Sequence, residues 1–205
     1  MVVQTLAETV IHMSLLVHLS IPEVFATEYF LLHISLLPRL ETLIISPTPL
    51  THSLLGGERY GFPSLRSLDV PNESFLRRFL SYSVRDLEAL RVRNLDRHAL
   101  PIIARELSSL RRLSIFIKGS NFTPQEVFVL GACFRLEEIG IITQYPLGMN
   151  DSDLHRFRAM FRNLRSLSIA REDSPRTIGF HRTDHRRDGT NASRVVEENG
   201  VNHGI

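Results

Sequence analysis

Three groups of residues in this 205-residue chain have side chains that could do chemistry. The first is a set of arginines, Arg91, Arg93 and Arg112, with Phe116 nearby and with Asp69 and Glu138 on either side. A guanidinium presents a planar fork of donors that fits a carboxylate or a phosphate, and arginine beside an aromatic ring is a frequent anchor of protein interfaces. The second is His181-x-x-x-His185 with Asp184, which has the spacing of a metal pair. A stable zinc site needs about four fixed ligands, and no others converge here, so no metal is expected. The third is Cys133, which lies beside Phe134 in an apolar stretch and reads as a buried structural thiol. Nucleophilic use would require a histidine base in reach, and His98 and His155 fall in separate segments. Asn191-Ala-Ser193 is a formal glycosylation sequon, with nothing in the sequence to direct the chain to a secretory compartment. Phosphate-loop, dinucleotide, zinc-protease and nucleophile-elbow motifs are absent from the sequence. The reading is a binding protein with no cofactor, not an enzyme.

Composition narrows the class. The chain is 43% hydrophobic and 22% charged, enough for one domain with a substantial core. Lys+Arg 24 against Asp+Glu 22 leaves a formal charge of +2, too weak a field to draw in nucleic acid or an anionic membrane. Only Lys118 of the basic residues is a lysine, a bias that codon usage explains as well as any function. The longest uncharged stretch, 42–57, contains two prolines and is too short for a bilayer span. The first residues carry Glu8 and no basic group, unlike a secretory signal. A single cysteine excludes a disulfide framework. An intracellular protein, cytoplasmic or nuclear, is expected.

The elements that must position these residues are visible as a repeat. The pattern Leu-x-x-apolar-x-apolar occurs as LVHLSI from Leu16, LETLII from Leu40, LRSLDV from Leu65, LEALRV from Leu87, LRRLSI from Leu110, LEEIGI from Leu136 and LRSLSI from Leu164. The steps between lead leucines are 24, 25, 22, 23, 26 and 28 residues. From its fourth residue each hexamer alternates with period two, as a half-buried strand requires. The intervening segments carry helix signals. Asn72 caps 72–84, Thr123, Pro124 and Glu126 form a capping box opening 122–134, and acidic cap candidates open 150–162. Segments 24–37 and 97–110 fit helices as well, whereas 47–61 has too many prolines and glycines and is expected to be an irregular loop.

One strand plus one helix per 20–29 residues is the leucine-rich repeat unit. The expected fold is an α/β leucine-rich repeat solenoid of about seven irregular repeats, with a parallel sheet on the concave face and helices and loops on the convex face. On this register the third and fifth hexamer residues, and the one after the sixth, face outward on the sheet. They include Asp69, Arg91, Arg93, Arg112, Phe116 and Glu138, which makes these six the candidate partner-binding set.

Copies such as FPSLRSLDV (62–70) and FRNLRSLSI (161–169), with their irregular spacing, resemble the leucine-rich repeat portion of fungal F-box proteins. The resemblance covers about residues 6–170 and implies a substrate-recognition role. In that family an F-box docks on the Skp-type adaptor of a cullin–RING ubiquitin ligase while the repeats hold the substrate. No F-box is read in this sequence, so an adaptor contact is expected only if one is supplied elsewhere. The alternative is a stand-alone repeat scaffold with no ubiquitin role. In either case the expected partner is a protein, acidic or phosphorylated where it meets the arginines, with neither nucleic acid nor membrane. The array is expected to span 1–170 without terminal caps. Residues 171–205 have no leucine, six Arg and six Asp or Glu, a composition that cannot bury enough apolar surface to order itself, and are expected to be disordered.

Overall fold

In each hexamer the first, fourth and sixth residues must leave water, and one strand with one helix cannot enclose them. That requirement is met by stacking. The computed structural model describes residues 2–48, 61–81, 84, 86–118, 122–145, 147–173, 177–181 and 194–195. It forms two compact units, Met1–Arg93 and Asn94–Ile205.

The first unit opens with helix α1 (Val2–Ile11), followed by β1 (His18–Pro22), α2 (Glu28–Ser35), β2 (Thr42–Ser46), β3 (Ser67–Val70), α3 (Glu73–Ser81) and the start of β4 (Ala89–Leu95). β1, β2, β3 and β4 pair in sequence order and in parallel, with Leu19 opposite Leu43, Leu43 opposite Leu68 and Leu68 opposite Leu90. α1 packs on α2 and buries Ala7 and Val10. Thr27 caps α2 by accepting from the Phe30 amide at 3.3 Å, and Asn72 caps α3 by accepting from the Phe75 amide at 3.2 Å.

The second unit holds α4 (Leu100–Glu106), β5 (Arg112–Ile117), α5 (Pro124–Phe128), β6 (Glu138–Thr143), α6 (Asp151–Met160) and β7 (Ser166–Arg171). β5, β6 and β7 are parallel neighbours. The expected helix over 122–134 is short: after α5 the chain tightens to a 3₁₀ turn over Val129–Ala132. Its capping box is present, since the Thr123 amide donates to Glu126 Oε2 at 2.7 Å. Asn150 and Asp153 form a second box at the start of α6.

The hexamer register is the expected one. Leu40, Leu43 and Ile45 and their equivalents through Leu164, Leu167 and Ile169 are at most 6% exposed, with only Leu16 and Leu19 in the first copy partly open. Two further regularities come with the structure. The residue three before each lead leucine accepts that leucine's amide at 2.9–3.5 Å, and from Leu37 onward it is buried: Leu37, Phe62, Val84, Leu107, Cys133 and Phe161. The carbonyl of the second hexamer residue accepts two amides from the following copy. Val17, Glu41, Arg66, Arg111 and Glu137 each do so at 2.7–3.1 Å. These forked bonds start each parallel pairing and satisfy the edge of the turn.

Beyond β7 the chain reverses. β8 (Thr177–His181) pairs antiparallel with β7, Ile178 opposite Ile169, and β9 (Arg194–Val195) pairs antiparallel with β8. Both strands fall within the 171–205 tail, where backbone pairing with the open edge of β7 supplies partners that the composition of the segment does not. Most of the remainder of that tail, and most of the 47–61 loop, lies outside the described residues. Among the described residues no helix is long and apolar enough to cross a membrane. Leu90 is 2% exposed on β4. Leu90→Ala should cost about 2–5 kcal/mol of unfolding free energy in a urea titration, because the cavity adds to the lost transfer energy.

Candidate functional site

The outward residues of the strands form the exposed sheet surface of each unit. In the first unit Asp69 on β3 lies opposite Arg91 on β4. It is Arg93, two residues on, that takes the carboxylate, donating from Nε to Oδ1 at 3.1 Å and from NH2 to Oδ2 at 2.9 Å. This two-point bond to Asp69 holds the Arg93 guanidinium charged beyond its ordinary range, against the opposing cost of partial burial. Arg91 remains exposed, and its side chain makes no hydrogen bond or ion pair among the described residues. Of the three expected arginines, Arg93 is thus neutralised by Asp69, while Arg91 and Arg112 are exposed. Pro71, which the register also placed outward, is buried, because β3 ends at Val70 and the chain turns inward to α3.

In the second unit three rows cross the strands. Arg112, Glu138 and Ser166 stand opposite one another, then Ser114, Gly140 and Ser168, then Phe116, Ile142 and Ala170. The middle row has only small side chains, so over β5 and β6 it lies lower than the rows on either side, while on β7 Ser166, Ser168 and Ala170 are all small. Gly140 is small but not sterically required, since an added Cβ would meet Ser114 Oγ at 3.8 Å, an ordinary contact. Ile142 is 39% exposed and Phe116 half-buried. Arg112 and Glu138 are register partners of opposite charge, yet both are exposed and neither is ion-paired among the described residues.

Charge pairs lie instead at the second hexamer position. There Glu41, Arg66, Glu88, Arg111, Glu137 and Arg165 alternate in sign. Arg66 bonds Glu88 at 2.8 Å, and Glu137 receives Arg111 at 3.2 Å and Arg165 at 3.8 Å. The alternation is legible in the hexamers, but reading only inward and outward strand positions passes over it. Exposed pairs of this kind contribute at most about 1 kcal/mol each. Glu23 is a second residue that pattern reading misses. It is buried after β1, and its Oε2 accepts from the Thr48 amide at 3.2 Å across 25 residues, fixing the exit of β2.

Cys133 ends the 3₁₀ turn after α5 and fills the buried position three before Leu136, where other copies have Leu, Phe or Val. Its thiol is fully buried and contacts the Ala104 carbonyl at 3.9 Å, while Phe134 beside it is exposed. His98 and His155 both lie on the surface. Among the described residues no group of three His, Cys, Asp or Glu side chains could hold a metal ion. Asp184, His185 and Asn191 of the expected tail motifs lie outside the described residues. No protein-family model matches the chain, and no curated protein matches it.

Burial pushes the Cys133 thiol from 9.0 up to about 11, because the thiolate would lose its hydration. The folded chain therefore keeps its proton where the unfolded chain begins to lose it. The stability this adds is complete below the unfolded value and is lost as pH rises toward the folded one. Iodoacetamide should leave Cys133 unmodified in the native protein at neutral pH and label it fully in urea; rapid native labelling would show that the thiol is accessible.

Proposed function

We propose that this chain is a protein-interaction module, a leucine-rich repeat solenoid that docks a protein partner on its outward sheet surface. Its hexamer grammar resembles the substrate-recognition repeats of an F-box-type ubiquitin ligase receptor, and substrate recognition is the role we assign it. The observation that carries the reading is the surface of β5, β6 and β7. Fold-stabilising apolar groups point inward, whereas Ile142, Arg112 and Glu138 stand exposed on the outward face. Solenoids characteristically use such strand faces for binding, because the repeats supply a rigid and extended platform. A half-exposed isoleucine and aromatic with a charged rim is the composition from which interface anchors are built. Arg91 in the first unit offers a further exposed cation.

The test is affinity purification of the tagged full chain from its own cells, beside Ile142→Arg and Arg91→Ala/Arg112→Ala variants. The assigned role expects a protein partner to co-purify and to be lost from Ile142→Arg; a Skp-type adaptor and cullin recovered with it would mean that an F-box is supplied in trans. A partner lost in that way without adaptor or cullin makes the protein a stand-alone scaffold. Equal recovery of every partner by wild type and both variants overturns docking on the strand face.

A further inference from the structure

The second unit's surface is specific about what it can receive. This inference rests on the proposed docking role and names the partner's chemistry. Arg112 and Glu138 lie on adjacent strands, whose backbones are about 4.8 Å apart, and face solvent without joining each other. An arginine awaiting a phosphate would have its field reinforced by neighbouring cations. Here the nearest register neighbour is a carboxylate, which repels a phosphate dianion about as strongly as the arginine attracts it. In the first unit Arg93 is already bound to Asp69, which leaves Arg91 and Arg112 as the exposed arginines of the expected set. Arg112 and Glu138 instead complement one acidic and one basic side chain set side by side.

The opposite rim is apolar. Phe116, Ile142 and Ala170 follow one another across the same three strands, and the low row of Ser114, Gly140 and Ser168 runs between the rims. A polypeptide lying over that row has room for its backbone against small side chains. In an extended segment successive side chains point to opposite sides, so alternate residues would reach the charged rim and the others the apolar rim. We propose that the β5–β6–β7 surface binds an extended, unphosphorylated segment of a partner protein, laid across the strands. One edge of that segment carries an acidic residue for Arg112 and a basic residue for Glu138; the other carries aliphatic residues for Ile142 and Phe116.

The test uses the full chain and fluorescein-labelled nonapeptides followed by anisotropy. One has the core Glu-Leu-Lys-Leu and one the reverse order Lys-Leu-Glu-Leu, so that either chain direction is sampled. A third replaces the glutamate with phosphoserine, and a fourth is Leu-Ser-Leu-Ser without charge. Saturable binding of one of the first two is expected, with the phosphoserine and uncharged peptides weaker. Ile142→Arg should weaken it about tenfold, the loss of one interface anchor. Arg112→Glu/Glu138→Arg, which preserves net charge and the exposed positions, should exchange the preference between the two charged peptides. That exchange is a readout that misfolding cannot imitate. Tighter binding of the phosphoserine peptide, no binding of either charged peptide, or a preference that the double exchange leaves unchanged each overturns the inference. If peptides fail while Ile142→Arg still abolishes partner recovery, the inference falls and the docking role stands. If partner recovery also ignores Ile142→Arg, both fall.

Discussion

The core of the described residues depends on one constraint: a strand and a short helix together have too little surface to cover three inward apolar side chains. Leu43 is buried because Leu19 and Leu68 stand beside it in register, and Ile139 because Leu113 and Leu167 do. Isolated, a single copy would expose most of this surface and lose about 25 cal/mol for each Å². Stacking within each unit is therefore the condition for having a core at all. It also fixes the direction of the hexamer strands, since equivalent residues can align only if those strands are parallel.

The turn before each strand makes the stacking definite. The lead leucine's amide closes a turn on the residue three before it, and the second residue's carbonyl then receives two amides from the next copy. Side chains repeat the link in places: Ser64 donates to the Pro38 carbonyl at 2.6 Å and Asn163 to that of Phe134 at 2.8 Å. Beneath the turns the helices supply aromatic contacts, with Phe62 against Phe79 and Phe161 against Phe157. Repeat length is free to vary because only the turn and strand are held in register. The irregular spacing of the lead leucines is absorbed on the helical side, where α5 can stop after one turn and continue as a 3₁₀ turn.

Parallel pairing leaves two problems at the margins. An open strand edge invites further pairing, and β8 occupies that of β7 by running antiparallel, a direction in which the repeat cannot continue. The outward face has no inward ladder to satisfy, so its residues are free to carry function or to neutralise each other. Asp69 and Arg93 take the second course. Arg112 and Glu138 do not, and both stay exposed without an ion pair among the described residues.

The residues alone determined the period, the inward positions and the caps. These depend on local hydrophobic alternation and on short-range hydrogen bonds, and Leu43, Asn72 and the Thr123–Glu126 box each fulfil expectations formed from neighbours a few positions away. Cys133 is legible as buried from its neighbours, but its equivalence to Leu37 and Phe161 lies in the carbonyl with which each accepts the amide of a lead leucine. Which charges cancel was decided by tertiary structure. Asp69 lies opposite Arg91 in register yet bonds Arg93 at two points, a choice between two identical guanidiniums that residue type and spacing cannot make. The order of Thr177–His181 was likewise decided there, since a leucine-free segment acquires structure only when an existing strand edge offers its backbone partners.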